Sequence, residues 1–340
     1  MSLKLRLISI LTAAALVLSL CGCMSIDDAR YENSGGTGGG TLPSGGDNSL
    51  PTVSTTPNGE VTLPSDIAPF TEPETRFDSD MFHDPEDDHE SSVSDISDVI
   101  EPLSNITQRD YSALDTALNG YGQGVRFDDL NRPMGAVEFN NGYSVYNATA
   151  INDTEEKVIC LTFDQGYENG FTSMILDTLK EKGVKATFFV VGDYAKRESE
   201  LVKRMIDEGH TVGSHSVNHY SMPEISVEKM TEEIMGLHTY MIEHFGIAMT
   251  LFRPPKGEYS EQSLAVTGDL GYKTVLWSFA YADWDTHNQP DRDAALSKLI
   301  ERAHPGAIYL LHSVSETNAN ILGDFIDAMI AQGYTFSCDF

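Results

Sequence analysis

From residue 158 onward the apolar and polar positions follow two alternating periods. Val158 to Phe163 is an unbroken hydrophobic run, the pattern of a strand buried on both faces, and it ends in Asp164, Gln165 and Gly166. The stretch from 172 to 182 then places Ile175, Leu176 and Leu179 on one helical face and stops at Gly183. The alternation recurs to the end of the chain. ATFFVVG at 186–192 predicts an apolar strand, 199–208 a helix closed by Gly209, and 211–213 a short strand opening into SHSVNH. A long helix is expected from 226 to 245, capped by Ser226, with Ile234, Leu237, Met241 and Phe245 on one stripe. LFRPP reads as a strand halted by two prolines. Beyond it come a helix at 260–270, a strand at 272–279, a helix at 291–302, a strand at 307–311, a helix at 317–332 and a last strand in YTFSC.

Strands alternating with helices, without hairpin signals between most of them, imply a parallel sheet of βα units. About seven such units in roughly 185 residues point to an α/β fold of small, incomplete barrel type, more than to an open doubly wound sheet. Residues 106–157 carry turn signals at Asn119-Gly120, Gly122 and Asn141-Gly142, and read as an irregular entry segment with room for a short hairpin near 140–150. The region 158–340 is the expected catalytic domain. No glycine-rich phosphate loop opens any of these helices, so nucleotide binding has no support.

Composition changes the picture before residue 106. Residues 24–105 are rich in Ser, Gly, Thr, Pro and acids, with 18 acidic residues against Arg30 and Arg76, and cannot bury enough apolar surface to fold. This part is expected to be a disordered acidic tether. The whole chain has a formal net charge of -30, which disfavours nucleic acid and anionic lipid as partners. Residues 1–23 look like a secretory signal: Lys4 and Arg6 precede an apolar run from Leu7 to Leu20 that is too short to span a bilayer. Leu20-Cys21-Gly22-Cys23 resembles the bacterial lipobox, which implies a mature chain anchored through a diacylated Cys23; simple secretion and an uncleaved anchor are the alternatives. Cys160 and Cys338 lie in strand-like runs and are read either as a disulfide or as two buried thiols.

The candidate chemistry follows the strands. In a βα barrel, Asp164, His215, His219, Arg253, Asp283 and His312 all come at strand ends and therefore on one rim. His215 and His219 are four apart, a spacing that lets two imidazoles face one cation. Arg253, stiffened by the following prolines, can lock a carboxylate through a charged hydrogen bond. His312 ends the apolar run IYLLH, where a polar group needs a partner, and Asp283 is the candidate. His210 and His304 fit no such pattern and read as structural.

TFDQGYENG, HSVNH, FRPPKGEYS, ADWD and LLHSVS, in this order, resemble the five motifs of the polysaccharide deacetylases, the NodB-homology domain of carbohydrate esterase family 4. The resemblance covers about 155–340. It implies a distorted (β/α)7 barrel and a divalent-metal enzyme, usually with zinc, that removes acetyl groups from N-acetylated sugars. On this sequence it implies Asp164 as general base, His215 and His219 as metal ligands, Arg253 as the residue holding the base, and Asp283 as partner of the acid His312. Tyr167, Trp284 and Pro254 are the expected glycan contacts.

One position departs from that pattern. Most of the family has a second Asp where this chain has Gln165, and an amide oxygen is a poorer ligand than a carboxylate, so Gln165 is a doubtful third metal ligand and weaker or atypical metal binding is expected. The neutral residue followed by YENG resembles the branch of N-acetylmuramic acid deacetylases, which carry Asn there and prepare the muramic lactam of spore cortex. The expected activity is accordingly deacetylation of peptidoglycan, at N-acetylmuramic acid, by a monomer facing the cell wall. Deacetylation of N-acetylglucosamine or of an exopolysaccharide, and a non-catalytic glycan-binding lipoprotein, are the competing readings.

Overall fold

A computed structural model describes residues 109–340. The expected signal, lipobox Cys23 and acidic tether lie outside the described residues. The strands are β1 (Asn119–Gly120), β2 (Ala148–Thr149), β3 (Val158–Gln165), β4 (Thr187–Val190), β5 (Thr211–Ser214), β6 (Leu251–Phe252), β7 (Glu258–Tyr259), β8 (Lys273–Val275), β9 (Ala307–His312) and β10 (Thr335–Phe336). The helices are α1 (Met134–Tyr143), α2 (Thr172–Lys182), α3 (Gly192–Arg197), α4 (Ser199–Asp207), α5 (Val227–Phe245), α6 (Glu261–Asp269), α7 (Arg292–Glu301) and α8 (Glu316–Ala331).

Eight strands form one parallel sheet in the order β10-β3-β4-β5-β6-β8-β2, with β9 on the other side of β3. After β8 the chain bends, and Phe279 bridges Tyr309 of β9 in parallel, with the Leu310 N–H donating to the Phe279 carbonyl at 2.8 Å. The sheet thus curls round on itself, and the expected distorted (β/α)7 architecture is what the chain adopts. Both faces are covered: Ile159, Leu161, Phe163, Phe188 and Tyr309 are fully buried on the face packed against the helices, and Cys160, Phe189, Leu251, Val275 and Ile308 cluster on the inner face.

Local chemistry sets the boundaries. The Ser226 hydroxyl accepts from the Lys229 N–H at the start of α5, and Gly246 ends that helix at φ 69°. Ser260 and Ser263 form a reciprocal cap on α6, and Ser315 caps α8. At Gly213 an added Cβ would lie 2.7 Å from the Phe189 ring, so only glycine lets β5 pack against β4 here.

Three expectations differ from the structure. Within 106–157 the chain is more regular than its turn signals suggest: α1 forms, and β2 joins the sheet in parallel beside β8 instead of making a hairpin. The Asn140 side chain explains the arrangement, since it donates to the Ile151 carbonyl and accepts from the Ala150 N–H, tying α1 to the end of β2. The strand expected at 272–279 is regular only at 273–275, because the bend after β8 is what moves the chain from β6 to β9. Helix α3, which begins on Gly192 directly after β4, has no counterpart in the periodicity, being only six residues long.

Cys160 and Cys338 form a disulfide, which resolves the two alternatives in favour of the bond. Among the described residues no helix is long and apolar enough to cross a membrane. A cavity of about 610 Å³ lies where β3, β8 and β10 begin, against Val158, Lys273 and Thr335, and holds none of the candidate catalytic groups.

Candidate active site

The polar residues at the strand ends converge. Asp164 is the next-to-last residue of β3, His215 follows β5, Arg253 follows β6, and His312 is the last residue of β9. In open and closed α/β sheets the carboxyl ends of the strands are where chemistry is done, because the loops there are free to vary over a rigid base.

Arg253 is fully buried, and every part of its guanidinium is occupied. Nη1 donates to Asp164 Oδ1 at 2.8 Å and to Thr162 Oγ1 at 2.8 Å, Nε to the Val275 carbonyl, and Nη2 to the Leu276 carbonyl. Its Cζ lies 4.2 Å from the Phe189 ring centroid. Burial pushes the Asp164 carboxyl up, but the Arg253 guanidinium beside it, and after it the His215 and His312 imidazoles, outweigh that, and the net displacement is below the usual carboxylate range.

His215 Nδ1 is 2.7 Å from the Arg253 carbonyl, so it must carry the proton, and Nε2 is left with a lone pair. That Nε2 lies 3.2 Å from His219 Nε2 and 3.6 Å from Asp164 Oδ2. Burial lowers both imidazoles, His219 to about 4, where the neighbouring His215 adds to the effect; both rings are neutral at pH 7.

His312 and Asp283 form a second rigid pair. His312 Nδ1 meets Asp283 Oδ1 at 2.7 Å, and the His312 backbone N–H donates to Asp283 Oδ2 at 2.9 Å. Asn318, from the first turn of α8, donates Nδ2 to Asp283 Oδ2 at 2.5 Å and accepts from the Tyr281 hydroxyl through Oδ1. Burial pulls the His312 imidazole down, but the charge and hydrogen bond of Asp283 pull it up further, and the net is above its ordinary value.

Gln165 is wholly buried. Its Nε2 donates to Ser313 Oγ, while its Oε1 has no hydrogen-bond partner. Among the described residues no group of three or more His, Cys, Asp or Glu side chains is arranged to hold a metal. The donors present nevertheless fit a divalent cation: two neutral imidazole nitrogens 3.2 Å apart match the roughly 3.3 Å between neighbouring ligands of a tetrahedral ion with bonds of about 2.0–2.1 Å. The unpartnered amide oxygen supplies a buried acceptor that a cation would satisfy. What distinguishes the expected donor set is its low charge, since its third member, Gln165, is a neutral amide.

Of the residues expected to meet a glycan, Tyr167 and Trp284 are exposed, at 53% and 56%, and the Trp284 ring lies 6.0 Å from that of His312. Pro254 is buried behind Arg253 and offers no open face to a sugar; its fixed ring stiffens the backbone that carries the guanidinium. His210 and His304 stay outside the site, His304 bonded to Ser278 and the Arg302 carbonyl. Sequence reasoning missed Asn318, Ser313 and Tyr281. Asn318 and Tyr281 have no motif of their own and Ser313 lies in LLHSVS without an assigned role; each joins the site through a contact distant in sequence.

Comparison with known proteins gives one answer. A family model described as polysaccharide deacetylase matches residues 151–275. The chain is 43% identical over 205 residues to the peptidoglycan-N-acetylmuramic acid deacetylase PdaA of Bacillus subtilis, covering 60% of this chain and 78% of that protein. It is 36% identical over 180 residues to the peptidoglycan-N-acetylglucosamine deacetylase PgdA of Listeria monocytogenes, covering 53% of this chain and 37% of that one. The solved structure of Bacillus subtilis PdaA, a family 4 carbohydrate esterase, superposes with a TM-score of 0.62 at 40% identity, covering 65% of this chain and 95% of that chain. Fold, strand-end constellation and sequence agree, and the chain belongs to the polysaccharide deacetylase family, the family 4 carbohydrate esterases.

Proposed function

We propose that this enzyme removes the acetyl group from N-acetylmuramic acid residues of peptidoglycan, giving acetate and the free amino sugar from which a muramic lactam can form. The observation that carries the substrate is the 43% identity to a muramic acid deacetylase across 78% of that protein, together with a neutral side chain at Gln165.

The roles follow from the geometry. Asp164, kept ionised by Arg253, takes a proton from the water that adds to the acetamide carbonyl carbon. His312, made more basic by the carboxylate of Asp283, gives its proton to the amide nitrogen as the C–N bond breaks. A C–O bond forms as the C–N bond breaks, and with one proton taken by Asp164 and one delivered by His312 the products are the amine and acetic acid, which ionises to acetate; the proton on Asp164 then leaves to solvent and His312 is reprotonated. Arg253 and Asp283 act by holding these two groups. Enzymes of this family are metal-dependent, and here His215, His219 and the Gln165 amide oxygen would hold the ion. We assign zinc, which suits imidazole ligands and, when bound, polarises the acetyl carbonyl.

Tyr167 and Trp284 offer aromatic faces to the sugar rings at either side of the acetyl group. The secretory signal and lipobox expected at residues 1–23 support a lipid-tethered location facing the cell wall, and we assign the protein a monomeric role there, on cortex peptidoglycan during sporulation.

Full-length protein incubated with intact and with peptide-stripped peptidoglycan, followed by mass analysis of the released saccharides, tests the proposal. Acetyl loss from muramic acid with stoichiometric acetate is expected, and Asp164→Asn should release none. Acetyl loss confined to glucosamine would refute the muramic assignment; absence of acetate release from either sugar would leave only a glycan-binding role.

A further inference from the structure

The loop that carries both histidines is held from beneath by a buried carboxylate. Between β5 and α5 the chain runs His215-Ser216-Val217-Asn218-His219, and two of these non-glycine residues take the left-handed conformation, Ser216 at φ 68° and His219 at φ 59°. Such a backbone persists only where its surroundings over-determine it. Part of the restraint lies within the loop, where the His219 N–H donates to Ser216 Oγ at 2.9 Å. The rest comes from outside it: the Gly192 N–H at the start of α3 donates to the Ser216 and Val217 carbonyls, and one residue of α5 adds three more bonds. The Val217 N–H donates to the Glu233 carbonyl, the Asn218 N–H to Glu233 Oε2 at 2.7 Å, and Asn218 Nδ2 to Glu233 Oε1 at 2.7 Å.

Glu233 is 1% exposed, and the positive group facing its carboxylate is Lys229 Nζ, 3.6 Å away. A carboxylate in the core is costly unless hydrogen-bonded. Its neighbours on the same buried face, Met230, Ile234 and Leu237, are apolar and do the packing. Both carboxylate oxygens are spent on Asn218, the residue whose ψ and peptide plane set where the His219 ring begins. Packing alone would be served by a leucine here; an acceptor fork is required only if the Asn218 backbone must be fixed.

We propose that Glu233 is a positioning residue for the metal-binding pair: by clamping Asn218 it sets the conformation of His219 and so the 3.2 Å separation of the two Nε2 atoms. Glu233 touches neither substrate nor ion. This inference rests on the reading of His215 and His219 as cation ligands.

The test is Co²⁺ binding by the metal-free full-length protein, measured by calorimetry and by the visible absorption of the bound ion, with folding checked by circular dichroism. Glu233→Gln keeps the volume but cannot accept from both Asn218 donors with both of its groups. Asn218→Ala removes the partner from the more accessible side and carries the test if the Glu233 variant fails to fold. Each should weaken Co²⁺ binding on the order of ten- to hundredfold, the usual effect of losing a group that orients a ligand, and alter the absorption spectrum. The double variant should be little worse than either, because both changes remove one clamp. Wild-type affinity and spectrum in the folded variants, with only a lowered melting temperature, would overturn the proposal. Absence of Co²⁺ uptake by the wild-type protein would instead remove the cation reading, and this inference with it.

Discussion

Asp164 and His312 are register partners on the neighbouring parallel strands β3 and β9. Residues paired in this way send their side chains to the same face, so the two groups meet across one rung at the mouth of the barrel. Their surroundings drive them apart in acidity: Arg253 holds Asp164 down, and Asp283 holds His312 up. Opposite shifts of this kind are what the proposed base and acid need in order to act together at one pH.

The alkaline limb of the rate profile should report His312. Its folded value lies above 6.5, so kcat/KM should fall only as pH rises through that elevated value, and Asp283→Asn should move the limb to lower pH. The same pair predicts stability. A raised folded value means that the stabilisation is fully present below about 6.5 and is lost as pH rises through the folded value. Melting curves of wild type and Asp283→Asn should therefore differ most in mild acid and converge at high pH. A limb that stays in place in the variant would dissociate Asp283 from the acid.

Arg253→Met should both inactivate and destabilise. The variant leaves Asp164 buried without its cation and takes the Arg253 donors away from the Val275 and Leu276 carbonyls, while the Thr162 hydroxyl keeps its bond to the Tyr309 carbonyl. Breaking a buried pair in this way costs about 3–5 kcal/mol. The double variant Arg253→Met, Asp164→Asn should recover part of that stability without recovering activity, since it removes the stranded charge and the base together. Denaturant unfolding of the three proteins measures this; equal stability of single and double variants would contradict the stranded charge.

Chelation should expose the low charge of the cation site. Dialysis against chelator is expected to abolish acetate release, and Zn²⁺ to restore it. Gln165→Asp gives up the reach to Ser313 but puts a carboxylate at the position proposed to supply the third ligand. Only 1.4 kcal/mol of added attraction is a tenfold gain in affinity, so the variant should resist chelator at concentrations at least about tenfold higher. Equal chelator sensitivity of wild type and variant would show that Gln165 lies outside the ion's ligand set.

What could be read in advance divides along chain distance. The strand-end positions of Asp164, His215, Arg253 and His312 were legible because each follows an apolar run whose period announces a buried strand, and parallel strands bring such ends to one rim. The helix starts at Ser226, Ser260 and Asp291 were legible because caps are local. Asn318 and Glu233 were not, because each acts across a tertiary contact, 35 residues from Asp283 and 15 from Asn218, and a lone Asn or Glu on a helix reads as a solvated face. Strand β2 was hidden for another reason: two residues carry no periodicity, and their place in the sheet is decided by Asn140. The pairing of Cys160 with Cys338 was one of two readings, since sequence shows that two thiols exist and not that their strands adjoin.

That disulfide yields the last prediction. It joins residues 178 positions apart, linking the end of the chain to the strand that bears Asp164. In the chain-entropy account a cross-link closing so long a loop contributes about 5 kcal/mol, and losing a native disulfide typically costs about 2–5 kcal/mol. Cys338→Ser is the informative variant. Cys338 is partly exposed, so a hydroxyl there can reach water, whereas Cys160 is buried among Phe189, Leu251, Val275 and Ile308. For a domain of this size each kcal/mol corresponds to about 2–4 °C, so the melting temperature should fall by roughly 5–15 °C, and reductant should lower the wild type to a similar value. Activity at 25 °C should change little, because β3 is paired with both β4 and β9 beyond the bridge and Asp164 is held by Arg253 independently of it. Alkylation of both cysteines in the unreduced protein, or a melting temperature indifferent to reductant, would count against the bond as a staple of the fold.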